Sequence, residues 1–259
     1  MRYGLMSSAM PGPYEEVIGR AGEIGFDGVE LDVGAEYEEN LLWRPEGRAK
    51  IRRLLSQAGL ELASVCLGTF WRYSFADPDA SVRDRAQRFT RDAIAWCAEL
   101  GAGVILVPIT PGAEGEDQAT ARSAWIEELR KAAPHAQEKK VRLAVENVGR
   151  GSGRTADALL EIVAAVDSPY VRVYYDFGNG LMLGGDPVAE IERLGERIVQ
   201  VHAKDPKGEY MGEGQVEMAA VKAALERVGY DGYLVLETPP TDDPVAAAAR
   251  NLGFLREHF

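Results

Sequence analysis

The chain has 259 residues, 46% of them hydrophobic and 27% charged, enough to bury a substantial core. Its 41 acidic and 29 basic residues leave a formal charge of −12, which excludes the basic face that nucleic-acid binding needs. No run of about 18 apolar residues is present, so no membrane span is expected, and MRYGLMSSAM lacks the apolar stretch of a secretory signal. Cys66 and Cys97 make no disulfide framework; two core thiols in a reducing cytoplasm are expected.

In chain order, short β-rich runs fall at 3–5, 28–33, 60–67, 104–108, 142–147, 171–176, 198–204 and 232–237. They recur about every 33 residues, the length of one βα unit. The segments between them carry apolar residues at helical spacing. Val17, Ala21 and Ile24 share one face in 14–24, and Phe89, Ala93, Trp96 and Leu100 share another in 82–100. Segments 157–166 and 216–228 behave likewise. Gly25, Gly59, Gly101 and Gly229 stand where helices should end, and Pro45 and Pro187 where first turns should begin. Eight strands alternating with eight helices predict an α/β fold, a (β/α)8 barrel of one domain over 1–259. An open doubly wound sheet is the alternative, but the text after the first run, SSAMPGPY, carries no Gly-rich dinucleotide fingerprint.

In such barrels the active site lies at the C-terminal strand ends. Strand 2 offers Glu30 and Asp32 there, strand 5 Glu146 and Asn147, and strand 6 Asp176 and Asn179. Strand 7 offers His202, Lys204 and Asp205, and strand 8 Glu237. Glu146, Asp176, His202 and Glu237 close or interrupt apolar strands, where an unpaired charge is costly. Four consecutive strand ends bring them to one mouth, and a divalent cation would relieve their repulsion. Three oxygens and a nitrogen suit Mn²⁺ or Mg²⁺, with Co²⁺ and Zn²⁺ also accommodated. Lys204 lies two residues after His202, so it points to the same interior face, as a counter-ion or a contact to substrate oxygen. His135 and His258 lie in helical text and are expected at the surface.

The VEN of strand 5, DFGN of strand 6, HAKD of strand 7, the following MGEGQVEMAAVKAAL and the terminal YDGYLVLET carry a likeness. With GFDGVELDV of strand 2, they resemble the sugar-phosphate isomerase/epimerase family of xylose isomerase-like TIM barrels across essentially the whole chain. The resemblance implies that Glu146, Asp176, His202 and Glu237 bind one divalent metal, Mn²⁺ favoured, and that Glu146 and Glu237 are also the catalytic acid/base pair. The implied reaction is 3-epimerisation of a ketose or pentulose phosphate, by two-base proton transfer through a metal-bound enediolate. An inosose isomerase or dehydratase on the same metal barrel is the alternative, and a non-catalytic sugar-binding barrel ranks below it. Endonuclease IV also belongs to the family, but its site needs several histidines and here only His202 is at a strand end.

Departures from the free-ketose 3-epimerases accompany the likeness. Ser152 stands where they carry a glutamate, Asn179 where they carry a histidine, and Gly208 where they carry an arginine. The DFGN and HAKD pattern is closer to the pentulose-5-phosphate 3-epimerase branch. The loop 149–155 (GRGSGRT) could hold a phosphate through glycine amides and arginines, or be a surface loop capped by Thr155. Asn179, Lys204, Arg150, Ser152 and Trp71 are therefore the expected substrate contacts, Trp71 as part of an aromatic wall or lid formed by WRYSF. The implied partner is a small sugar or sugar phosphate, bound by a homodimer or homotetramer with no nucleic acid or membrane.

Overall fold

In the computed structural model, which describes residues 1–208 and 210–259, eight strands close into a parallel barrel. They are β1 (Arg2–Met6), β2 (Gly28–Asp32), β3 (Glu61–Cys66), β4 (Val104–Pro108), β5 (Arg142–Glu146), β6 (Val171–Asp176), β7 (Ile198–Ala203) and β8 (Tyr233–Leu236). Each predicted run matches one strand to within a residue at either end. β1 pairs with β8 as well as β2, so the ring closes and no sheet edge is exposed.

The helices are α1 (Tyr14–Ile24), α2 (Pro45–Ala58), α3 (Ala80–Leu100), α4 (Gln118–Lys139), α5 (Ala156–Val166), α6 (Phe177–Met182), α7 (Pro187–Leu194), α8 (Met218–Arg227) and α9 (Pro244–His258). Pro45 and Pro187 open α2 and α7, as their fixed φ predicts. Gly25, Gly59 and Gly101 end α1, α2 and α3 in the left-handed conformation, which a side chain would strain. The sequence predicts one helix per strand, yet two follow β6. Asp176 ends the strand and caps α6 at once, accepting the Asn179 N–H at 2.8 Å. No helix among the described residues is long and apolar enough to cross a membrane.

Residues two apart on a strand share a face, so each strand feeds two cores. Outward residues such as Leu31, Val65, Val107 and Val145 pack under the helices. Inward residues including Leu106, Ala144, Tyr174 and Val235 fill the barrel. The stretch 71–75 divides between the two readings of it. Phe75 is fully buried with Phe70, Phe89 of α3 and Trp125 of α4, at ring separations of 4.9 to 5.2 Å. Trp71 stays 46% exposed at the barrel mouth. Cys66 and Cys97 are free and buried, and His135 is half-buried on α4 rather than at the surface.

The loop after β5 is pressed against the end of β4. A Cβ on Gly151 would lie 1.4 Å from the Ile109 carbonyl oxygen, so only glycine lets the two backbones approach.

The aromatic cluster joins two helices to the β3 loop, and Trp125 Nε1 also donates to the Thr110 carbonyl at 2.9 Å. Trp125→Ala is expected to lower the unfolding free energy by about 3–5 kcal/mol. Urea denaturation followed by circular dichroism measures this; a loss under 1 kcal/mol, roughly a surface substitution, would contradict it.

Candidate metal centre

Glu146 ends β5, Asp176 ends β6, His202 is the penultimate residue of β7, and Glu237 follows β8. Consecutive strands thus deliver four side chains to one end of the barrel. Each presents one ligand atom, and these atoms all lie within 4.8 Å of one another. Glu146, Asp176 and His202 are buried, whereas the Glu237 side chain is 25% exposed. His202 Nδ1 lies 3.0 Å from Glu146 Oε1 and 3.3 Å from Glu237 Oε2.

Lys204 points into the same space, as its spacing from His202 predicts. Its Nζ is 2.6 Å from Glu237 Oε2 and 3.1 Å from Asp176 Oδ2, and donates to Asn179 Oδ1 at 3.3 Å. Asn147 and Asn179 tie the ends of β5 and β6 together. Asn147 donates to the Asp176 carbonyl at 2.8 Å and accepts its N–H at 2.9 Å, while Asn179 donates to the Asn147 carbonyl at 3.0 Å. Asp205 does not join the site. Its carboxylate accepts the N–H groups of Gly212, Gly214, Gln215 and Val216 and so folds the loop after β7.

The charges are out of balance. Burial pushes the Glu146 carboxyl up to about 7, against the pull of His202. Burial also raises Asp176, opposed by Lys204. It acts the same way on Glu237, but His202 and Lys204 outweigh it and hold that carboxyl below its usual range. Burial disfavours charge on His202, yet Glu30 and Glu237 carry the imidazole well above its ordinary value. Asp176 Oδ2 and Glu237 Oε2 are buried oxygens that have the Lys204 ammonium beside them, at 3.1 and 2.6 Å, and no neutral hydrogen-bond donor. Two such oxygens, a third carboxylate and a ring nitrogen converging without enough positive charge fit a divalent cation.

Glu30 is the residue that sequence reasoning left out of the constellation. It is fully buried in the barrel, with Oε1 2.8 Å from His202 Nε2. Its Oε2 accepts the Ser64 hydroxyl at 2.5 Å, and Ser64 accepts from Gln200 Nε2 at 2.5 Å. With Glu30 beside Nε2 to keep that proton, a cation bound among the carboxylates would displace the proton on Nδ1 and take its lone pair. The signal was a carboxylate set between Val29 and Leu31, in the middle of a strand whose other charge, Asp32, comes only at its end.

The converging groups open into a cavity of about 400 Å³. Trp71, Asn179 and Lys204, three of the residues named above as expected substrate contacts, line it. Arg150 stands at the rim, its guanidinium 5.1 Å from the centre of the Trp71 ring. Ser152 is not brought to the cavity. It is 2% exposed beneath the loop, because the close approach of Gly151 to Ile109 turns this segment inward. Thr155 caps α5 by accepting the Ala158 N–H at 3.2 Å, so this part of the loop serves the helix.

The family of xylose isomerase-like TIM barrels matches residues 18–258 of the chain. The protein belongs to that family. L-ribulose-5-phosphate 3-epimerase UlaE of Escherichia coli O157:H7 is 26% identical over 258 residues, spanning 95% of this chain and 91% of the relative. SgbU of Escherichia coli K12, which carries the same activity name provisionally, is 29% identical over 237 residues, 85% of this chain and 82% of its own. Among solved structures, D-psicose 3-epimerase with D-tagatose from Clostridium cellulolyticum H10 superposes with a TM-score of 0.86 at 19% identity, over 100% of this chain and 99% of that one. At that identity the superposition speaks to the shared barrel.

Within this family barrel, Glu30 gives a direct test of the centre. Glu30→Gln keeps the size of the side chain but can no longer hold His202 through a carboxylate. Mn²⁺ affinity, measured by calorimetry, is expected to fall about 10–100-fold. Unchanged affinity in a variant that melts like the parent would remove Glu30 from the centre.

Proposed function

We propose that the protein is a divalent-metal-dependent 3-epimerase of a ketose or pentulose phosphate. The observation that carries this is the placement of Glu146 and Glu237, on strands either side of β6 and β7, against one imidazole in one cavity. Glu146, Asp176, His202 and Glu237 would hold the cation, Mn²⁺ being favoured by three oxygens and one nitrogen, with Mg²⁺, Co²⁺ and Zn²⁺ as alternatives. When bound, it would polarise the C2 carbonyl of a ketose and so acidify the C3 hydrogen.

The chain's own groups account for the rest. One glutamate removes the C3 proton, leaving its electron pair in a planar enediolate. The other returns a proton to C3 from the opposite face, which inverts the centre. General acid–base help of this kind is worth about 10²–10⁴-fold. Lys204 holds the Asp176 and Glu237 carboxylates in place, Asn179 steadies Lys204, and Trp71 with Arg150 forms a wall over the sugar. The names of UlaE and SgbU support this activity, and the free buried thiols accord with a cytoplasmic setting.

Glu146→Gln and Glu237→Gln should each lose epimerisation by at least about 10²-fold. One of the two is expected to keep exchanging the C3 hydrogen with D₂O, by return of the proton to the same face. Proton NMR of Mn²⁺-loaded protein with ketoses and pentulose phosphates reads both. Turnover without solvent deuterium at C3 would overturn the proton-transfer scheme, and release of water with an ultraviolet-absorbing product would make the protein a dehydratase.

A further inference from the structure

β2 ends on Asp32, which lines the same cavity as Glu146, His202 and Glu237 but is not one of the four converging groups. In the closed ring β2 lies four strands from β6, so a sugar held at C2 and C3 by the groups of β5–β8 would have β2 across the mouth to receive its remaining carbons. The proton transfer does not use Asp32. Its backbone is nonetheless fixed. The N–H donates to Ser7 Oγ at 2.9 Å, and the carbonyl accepts from the Tyr14 hydroxyl, which itself accepts from Asn40. Gly68 packs against the carboxylate, since a Cβ there would lie 2.9 Å from Asp32 Oδ1, and so helps to hold it in place.

No lysine or arginine among the described residues pairs with this carboxylate. Lys204 is held by Asp176 and Glu237, Arg72 pairs with Glu36 at 2.6 Å, and Arg150 lies over Trp71 at the rim. Burial raises the Asp32 carboxyl to about 6, with Glu30 and Glu237 adding to the effect, so it remains ionised at pH 8. An anion on this wall would meet a fixed negative charge with no cation to offset it. Sugar hydroxyls, by contrast, would donate charge-assisted hydrogen bonds to it.

We propose that Asp32 is a specificity-determining residue that accepts the hydroxyls at the far end of the sugar and makes the substrate a free ketose rather than a phosphorylated one. This rests on the epimerase reading above. It differs from the phosphorylated substrate in the names of UlaE and SgbU.

The test uses the Mn²⁺-loaded full chain with four probes: L-ribulose, D-fructose, and their 5- and 6-phosphates respectively. The wild type should show a kcat/KM for a free ketose at least about tenfold above its phosphate, a difference of about 1.4 kcal/mol. Asp32→Asn should raise KM for the free sugar more than it lowers kcat, and narrow the ratio between the two forms. Asp32→Ser, a smaller side chain that leaves the carboxylate of no other residue altered, should narrow it in the same direction. Higher kcat/KM for the phosphates, or a ratio unmoved in both folded variants, would overturn the role of Asp32. If neither form exchanges its C3 hydrogen, the epimerase reading fails instead. Calorimetric binding of the same probes to wild type and Asp32→Asn then decides the preference on its own.

Discussion

His202 has a carboxylate at each ring nitrogen, and the mouth of the barrel is organised around that fact. Glu30 meets Nε2 from below, and Glu146 and Glu237 approach Nδ1 from the side. β2 and β7 are not neighbours, so the Glu30 contact crosses the interior instead of running along the sheet. Ser64 and Gln200 extend it to β3. An imidazole anchored at one nitrogen cannot turn its other nitrogen away without leaving a buried carboxylate unpaired, which is expensive. The ring is therefore oriented by the core before anything binds. Tyr174, with its ring 4.5 Å from the imidazole, packs against it from β6.

Lys204 has a complementary part. It draws Asp176 and Glu237 together and offsets part of their repulsion, but one positive charge does not balance two carboxylates with Glu146 beside them. The site is thus held in shape by one cation of the chain while keeping oxygens available. A centre built only from carboxylates and a neutral imidazole would have to spread apart until a metal arrived.

Much of this was legible before any coordinates. The strands showed because runs such as VILVP and LAV of RLAVE are apolar and short, the first of them preceded by a helix closed by Gly101. The four converging residues showed because a charge at the end of an apolar strand needs a reason. What stayed hidden depended on distance or on backbone. Glu30 and His202 are 172 positions apart, and nothing local to either residue announces that they touch. The helix FGNGLM has two glycines in six residues, so no periodicity marks it, and only the cap supplied by Asp176 starts it. Ser152 looked like a loop residue free to reach a ligand, until the contact of Gly151 with Ile109 turned it inward.

Asp176 divides its two oxygens between separate tasks. Oδ1 caps α6, while Oδ2 lies with Lys204 and the converging side chains. Rotating the carboxylate toward a bound ion therefore tugs on the first turn of a helix that has little intrinsic tendency to form. Fraying of that turn, in reverse, would loosen one corner of the centre. Amide hydrogen exchange across 177–182 becomes a gauge of occupancy, since the same side chain reports to both. A helix six residues long acts here as the slack in a tether, joining what happens in the cavity to the loop that leads into α7.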